Sequence, residues 1–238
     1  MVKHITHTNN LDKKHLKSLS RFMQILDGSF PSGVFVHSFG LEPHIVCEEV
    51  NNIDELKNYL ENLLIDQYQK MEFVATKKVY DALKNEKLSV LKRLDNTYDA
   101  FLTYDYAKAS KDIGENYFVQ IKSLASKDIV KKYFKEIEDK KSTGNEIVLL
   151  ATLAYDLDID YEDFLIMWTK KNLINIAMTT LKISRIKPSE IQKMLFEIDD
   201  ILEKIEFENI DKKITNFNPL FEEIIFKHKN IEPKMFAT

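Results

Sequence analysis

The sequence predicts an all-α protein, a single-domain multi-helix bundle of about eight to ten helices. Three observations carry that prediction. Apolar residues recur at steps of three and four through most of the chain, which lays one apolar stripe on each helix. With 5 glycines and 5 prolines in 238 residues, the turn residues of an all-β protein are lacking. No strand-like alternation, no repeat of fixed period and no linker rich in Gly, Pro or Ser breaks the pattern, so residues 1–238 read as one domain. The chain is 44% hydrophobic, enough for a core without disulfides or metal staples.

The elements follow in order. A flexible N-terminus (1–12) is expected from "MVKHITHTNN", which is polar and lacks the apolar centre of a secretory signal. Leu16, Leu19, Met23 and Leu26 stripe a first helix that ends at Asp27-Gly28, with Gly28 left-handed at its end. From Ile53 to Leu83 the stripe runs unbroken through Leu56, Leu60, Leu63, Leu64, Met71 and Val79. Asp54, with Asn52 just before it, is the expected N-cap, and Asn85 the stop. Further helices are expected over Leu88–Leu102, Tyr104–Leu124 and the highly charged Ile129–Ile137. "EIVLLATLAYDL" is almost wholly apolar, so the helix Asn145–Leu157 belongs at the centre. "KKSTGN" before it is the one candidate break, between helices that read as parts of one core. Tyr161–Ile186 is long and carries Trp168 on its apolar stripe, a core position. Pro188 suits a first helical turn, with Ser189–Phe207 following. Pro219–Lys229 is the last helix, and a flexible tail (231–238) closes the chain.

Charge and cysteine content exclude several function classes. The 34 basic and 38 acidic side chains are interspersed and leave a net charge of -4, so no basic face for nucleic acid is expected. No run approaches the roughly 18 apolar residues of a membrane span. Cys47 is the single cysteine, which rules out a disulfide within the chain and suits a reducing compartment. A soluble cytoplasmic protein is expected.

The residues that could carry chemistry are few. His4 and His7 could catch a divalent ion, yet two tail histidines fall short of the three or four ligands a fixed site needs. His44 and Cys47 are three apart and could form a transient soft-metal pair; otherwise Cys47 is a small buried apolar residue. No Gly-x-Ser-x-Gly, phosphate-cradling loop or GxGxxG is present. The carboxylates are spread over helix faces rather than paired. Neither catalytic residues, a resident metal nor a cofactor is expected.

One stretch stands apart. "DGSFPSGVFVHSFGLE", Asp27–Glu42, holds three of the five glycines and one of the five prolines. Phe30-Pro31 requires an extended backbone, Gly33 permits a tight turn, and Ser38 can cap a short helix with Glu42 near its positive end. Phe35, His37 and Phe39 crowd the same corner. They form either a surface that another protein covers or rings folded beneath the turn.

This stretch resembles the N-terminal signature of the urease accessory protein UreF family, through Gln24, Asp27, Phe30, Pro31, Gly33, Phe35, His37, Ser38, Gly40, Leu41 and Glu42 in register. "KASKDIGENYF" is similar to a second family element, with Ala109, Ser110 and Gly114 in place. The ending resembles the family's too, with Pro219, His228 and Lys234-Met235-Phe236. There are departures: Ala107 stands where arginine is expected, Ser184–Gln192 replaces a "P-L-G-Q-T" element, and Lys234 stands where Arg is usual, which loses the bidentate fork.

The resemblance implies an all-α homodimer without enzymatic activity. It implies an assembly chaperone that bridges UreD (also called UreH) and the GTPase UreG to deliver nickel into the urease apoprotein. The partner-binding residues it implies, together with Phe39, are those of the corner and tail: Phe30, Pro31, Gly33, Phe35, His37, Ser38, Gly40, Leu41, Glu42, Ser110, Gly114, His228, Lys234 and Phe236. A helical dimeric scaffold with no metal role, or a small-molecule enzyme using the bundle interior, are the alternatives.

Overall fold

The chain is helical wherever the apolar residues step by three and four, and no strand occurs among the described residues. The structure is a computed structural model describing residues 5–203, 205, 207, 213–215 and 219–237, with backbone alone for 5–12 and 219–222. Of the expected flexible opening (1–12), residues 1–4, His4 among them, lie outside the described residues, whereas 5–12, His7 among them, form the first turns of α1, which runs Ile5–Leu26.

After the corner, α2 spans Leu41–Val46 and α3 spans Ile53–Asn62. Asn52 rather than Asp54 caps α3: its side chain accepts from the Asp54 and Glu55 amides at 3.1 and 3.0 Å. The expected single helix to Leu83 is continuous but not uniform. Over Leu63–Glu72 the backbone widens to i→i+5 bonding, closed by the Phe73 amide on the Tyr68 carbonyl, before α4 resumes over Phe73–Lys84. Asn85 ends it as expected, its amide and side chain both turned back to the Asp81 carbonyl.

The next helices are α5 (Leu88–Tyr98), α6 (Tyr104–Ile121), α7 (Asp128–Glu138) and α8 (Glu146–Asp156). A helix apolar on every side is stable only where protein surrounds it. α8 meets that condition between α4 and α6, with Leu149, Leu150, Ala151, Leu153 and Ala154 fully buried. The turn before α8 is tied down rather than loose. Asp95, buried on α5, accepts from the Gly144 and Asn145 amides at 2.7 and 2.9 Å and from the Ser142 hydroxyl at 2.6 Å. The same turn explains Gly114: a Cβ there would stand 2.0 Å from the Gly144 carbonyl oxygen, so only glycine lets α6 approach.

α9 (Tyr161–Ile183) begins at Asp160, whose side chain accepts from the Asp163 amide at 2.9 Å, and it packs against α2, α4 and α10. α10 (Pro188–Glu197) has the expected proline in its first turn, and a break at Ile198 leaves α11 (Asp199–Leu202) short of the expected Phe207. α12 (Pro219–Lys227) lies on α2, and a single turn, His228–Asn230, leads into the tail. No described helix is long and apolar enough to cross a membrane.

Candidate functional site

The corner between α1 and α2 is built from short polar bonds and positive backbone angles. Asp27 opens it: its carboxylate accepts from the Ser29 hydroxyl and, at 2.8 Å, from the Ser29 amide, and these bonds hold its pKa below the usual range. Gly28 is not left-handed, contrary to the reading from sequence. Its job is spatial. A Cβ on it would sit 3.0 Å from the tip of the Phe35 ring, so Phe35 lies over the end of α1. The left-handed positions are Gly33 (φ 74°) and Gly40 (φ 84°), the second of which starts α2.

Phe39, next to Gly40, also has positive φ, at 50°. Such a conformation costs a non-glycine residue about 1 kcal/mol or more and persists only where its surroundings impose it. Two tyrosine hydroxyls impose it here: Tyr59, at 3.0 Å, and Tyr106 both donate to the Phe39 carbonyl. Tyr59 comes from α3 and Tyr106 from α6, so the corner is clamped by two helices distant in sequence. Asn116 of α6 adds a bond to the Ser32 carbonyl at 3.1 Å.

The signature residues divide by exposure. His37, Ser38, Gly40, Leu41 and Glu42 are buried, while Phe30 and Phe39 are half-buried. Phe30 stacks on Tyr117 with ring centroids 5.3 Å apart, and Phe39 on Tyr106 at 6.1 Å. Burial, with Lys108 adding, pushes the His37 pKa down against the opposing pull of Asp112 and Glu146. Pro31, Gly33 and Phe35 are exposed; Phe35 is 50% and its neighbour Val36 53% accessible. By exposure the corner divides: His37 folds under it, Phe39 is partly covered, and Phe35 faces out. Gly40 rather than Ser38 is the N-cap of α2, although the Ser38 hydroxyl accepts from the Glu42 amide at 3.3 Å. His44 turns inward, Nδ1 bonded to the Gly40 carbonyl at 2.7 Å, and among the described residues no three His, Cys, Asp or Glu side chains gather as a metal site.

At the centre of this corner is Glu42, 1% exposed. A buried carboxylate needs donors, and the tail brings them. Its Oε2 accepts from His228 Nε2 at 2.9 Å and from the Phe236 amide at 3.2 Å, and its Oε1 from the Met235 amide at 2.7 Å. The Ala237 amide donates to the Val36 carbonyl at 2.7 Å. Phe236 is buried, with the Lys182 ammonium 4.9 Å above its ring. Residues 231–237, expected to be flexible, are thus laid along the corner; Thr238 lies outside the described residues. Lys234 and Met235 remain exposed.

Of the second motif, Ser110 lines a cavity behind Phe39, and Gly114 packs against the Gly144 turn, away from solvent. Tyr59, Tyr106 and Asn116 were not singled out from sequence. Tyr106 lies one turn before Ser110 on the same helix face, which is the one local signal that pointed to it.

Comparison with known proteins places these observations in a family context. The UreF family model matches residues 50–199, well over half of the chain. A urease accessory protein UreF of Bacillus sp. (strain TB-90) is 25% identical over 190 residues, 79% of this chain and 84% of that protein. The corner, Asp27–Glu42, and the tail both lie outside the matched residues 50–199.

Proposed function

This chain belongs to the UreF family of urease accessory proteins, and from that premise we propose that it is a non-enzymatic assembly chaperone that bridges UreD/UreH and the GTPase UreG during nickel delivery into urease apoprotein. It acts in the cytoplasm as a homodimer.

The observation that supports this reading is the clamped corner. Glu42, His228 and the tail amides form a buried polar lock. That lock immobilises backbone on either side of Phe35, Val36 and Met235, which all remain at least half exposed. Rigid apolar side chains presented in this way lose little entropy when another protein covers them.

Co-purification with tagged UreD and UreG, without nucleotide, with GDP and with a non-hydrolysable GTP analogue, tests the proposal. Retention of both partners in at least one nucleotide state is expected; elution alone in every state overturns it. Phe35→Ala should reduce partner retention about tenfold or more while the isolated protein keeps its fold.

A further inference from the structure

Behind Phe39 lies a cavity of about 40 Å³ whose walls include Ser110, Glu72, Glu146, Trp168 and Asn172. It is far smaller than the roughly 300–1,000 Å³ of a small-molecule pocket. Its walls are unusual in a different respect. Three of its lining residues each carry a buried polar atom with no hydrogen-bond partner among the described residues: Glu72 Oε2, Trp168 Nε1 and Asn172 Nδ2. One accepts and two donate. The residues are each nearly sealed, and an unpaired polar atom in such surroundings costs about 1–3 kcal/mol. Water complements this set: it can donate to the carboxylate while accepting from the indole and the amide. A metal cation would face two N–H donors, and an anion would face Glu72.

We propose that the cavity behind Phe39 is a water-binding site, holding about three molecules that join Glu72 Oε2 to Trp168 Nε1 and Asn172 Nδ2. The i→i+5 backbone of Leu63–Glu72 builds one wall, because it carries Leu63, Gln67, Tyr68 and Glu72 together onto the cavity. The electrostatics agree. Burial raises the Glu72 pKa to about 7, the Gln67 and Tyr98 side chains oppose the rise, and Glu146 adds to it. Glu146 is itself paired to Lys171 at 2.7 Å, so that ammonium is already engaged. Tyr106 of α6 also faces the site. A neutral, strongly hydrogen-bonding guest suits a carboxyl group in that setting.

Oxygen-17 magnetic relaxation dispersion on the full chain counts waters held longer than the protein's tumbling time. The wild type should exceed the Trp168→Phe/Asn172→Leu double variant by about two to three such waters. An equal count in a variant that keeps the wild-type circular dichroism overturns the proposal. If that variant does not fold, a high-resolution crystal structure of the wild type decides. Water density within hydrogen-bond distance of all three atoms supports the site, and a collapsed or dry cavity removes it.

Discussion

Glu42 and Glu72 are two carboxylates sealed inside the same protein, 1% and 4% exposed, and they live in opposite circumstances. Three donors meet both oxygens of Glu42, and all three come from the last helical turn and tail. At Glu72, Gln67 Nε2 meets Oε1 at 3.0 Å and the Tyr98 hydroxyl stands near enough to favour the charged form, but Oε2 has no donor in hydrogen-bond geometry among the described residues. Both are out of water, and the difference lies in the donors brought to each. At Glu42 the charge is used to hold chain together. At Glu72 the protein keeps a group that would rather be neutral, beside a cavity.

That contrast can be broken most severely at Glu42. Glu42→Ala would leave His228 and two tail amides facing an empty site, at a cost of about 3 kcal/mol. For a chain of this size that corresponds to a fall in melting temperature of roughly 6–12 °C. Limited proteolysis should cut within residues 231–237 in the variant and spare the wild type. A melting temperature unchanged by the substitution would show that the lock is not needed.

Glu72→Gln should act in the other direction, and by pH. Folding raises this pKa from 4.5 to about 7, so the native state binds more protons than the unfolded one between those values. Wild-type stability should therefore fall as pH rises from 4.5 to 7 and then level off. Glutamine removes that slope, so the variant should be more stable than wild type at pH 8 by on the order of 3 kcal/mol, and little different at pH 4.5. Urea unfolding at both pH values measures this; parallel pH dependences would refute it.

A smaller effect is expected at His37, where burial lowers the pKa. The unfolded state then takes up the proton first, so stability supplied by neutral His37 is lost as pH falls below the unfolded value near 6.5. His37→Phe should flatten that acid limb between pH 7.5 and 5.5, whatever it does to overall stability. The smallest change in stability belongs to Phe35→Ala, within about 1 kcal/mol, because half of the side chain is already in water. A large loss of melting temperature there would mean that the ring supports the corner instead of facing outward from it.

The helices were legible because burial imprints a period of 3.6 on the sequence, and α8 was legible as central because it has no polar side. The widened backbone over Leu63–Glu72 was not, since its apolar residues still step by three and four. Gly28 was misread as left-handed because sequence marks glycine without saying whether freedom of φ or absence of a Cβ is needed. For the corner, the sixteen-residue signature does not show which of its residues are buried and which exposed. That division depends on partners far along the chain: His228 meets Glu42 across 186 positions, and Tyr106 meets Phe39 across 67. No local pattern encodes such pairings.

The widened stretch between α3 and α4 has a consequence for how this chain tolerates change in length. A regular helix turns about 100° per residue, so the stretch behaves as though surplus residues had been accommodated without interrupting the rod. Deleting one residue there would tighten the coil, swing α3 and Leu63 off their present bearing relative to Phe73–Lys84, and so disturb the wall behind Phe39 that Leu63 and Glu72 share. Chain length within Leu63–Glu72 therefore helps to set the space behind Phe39, alongside the side chains that line it.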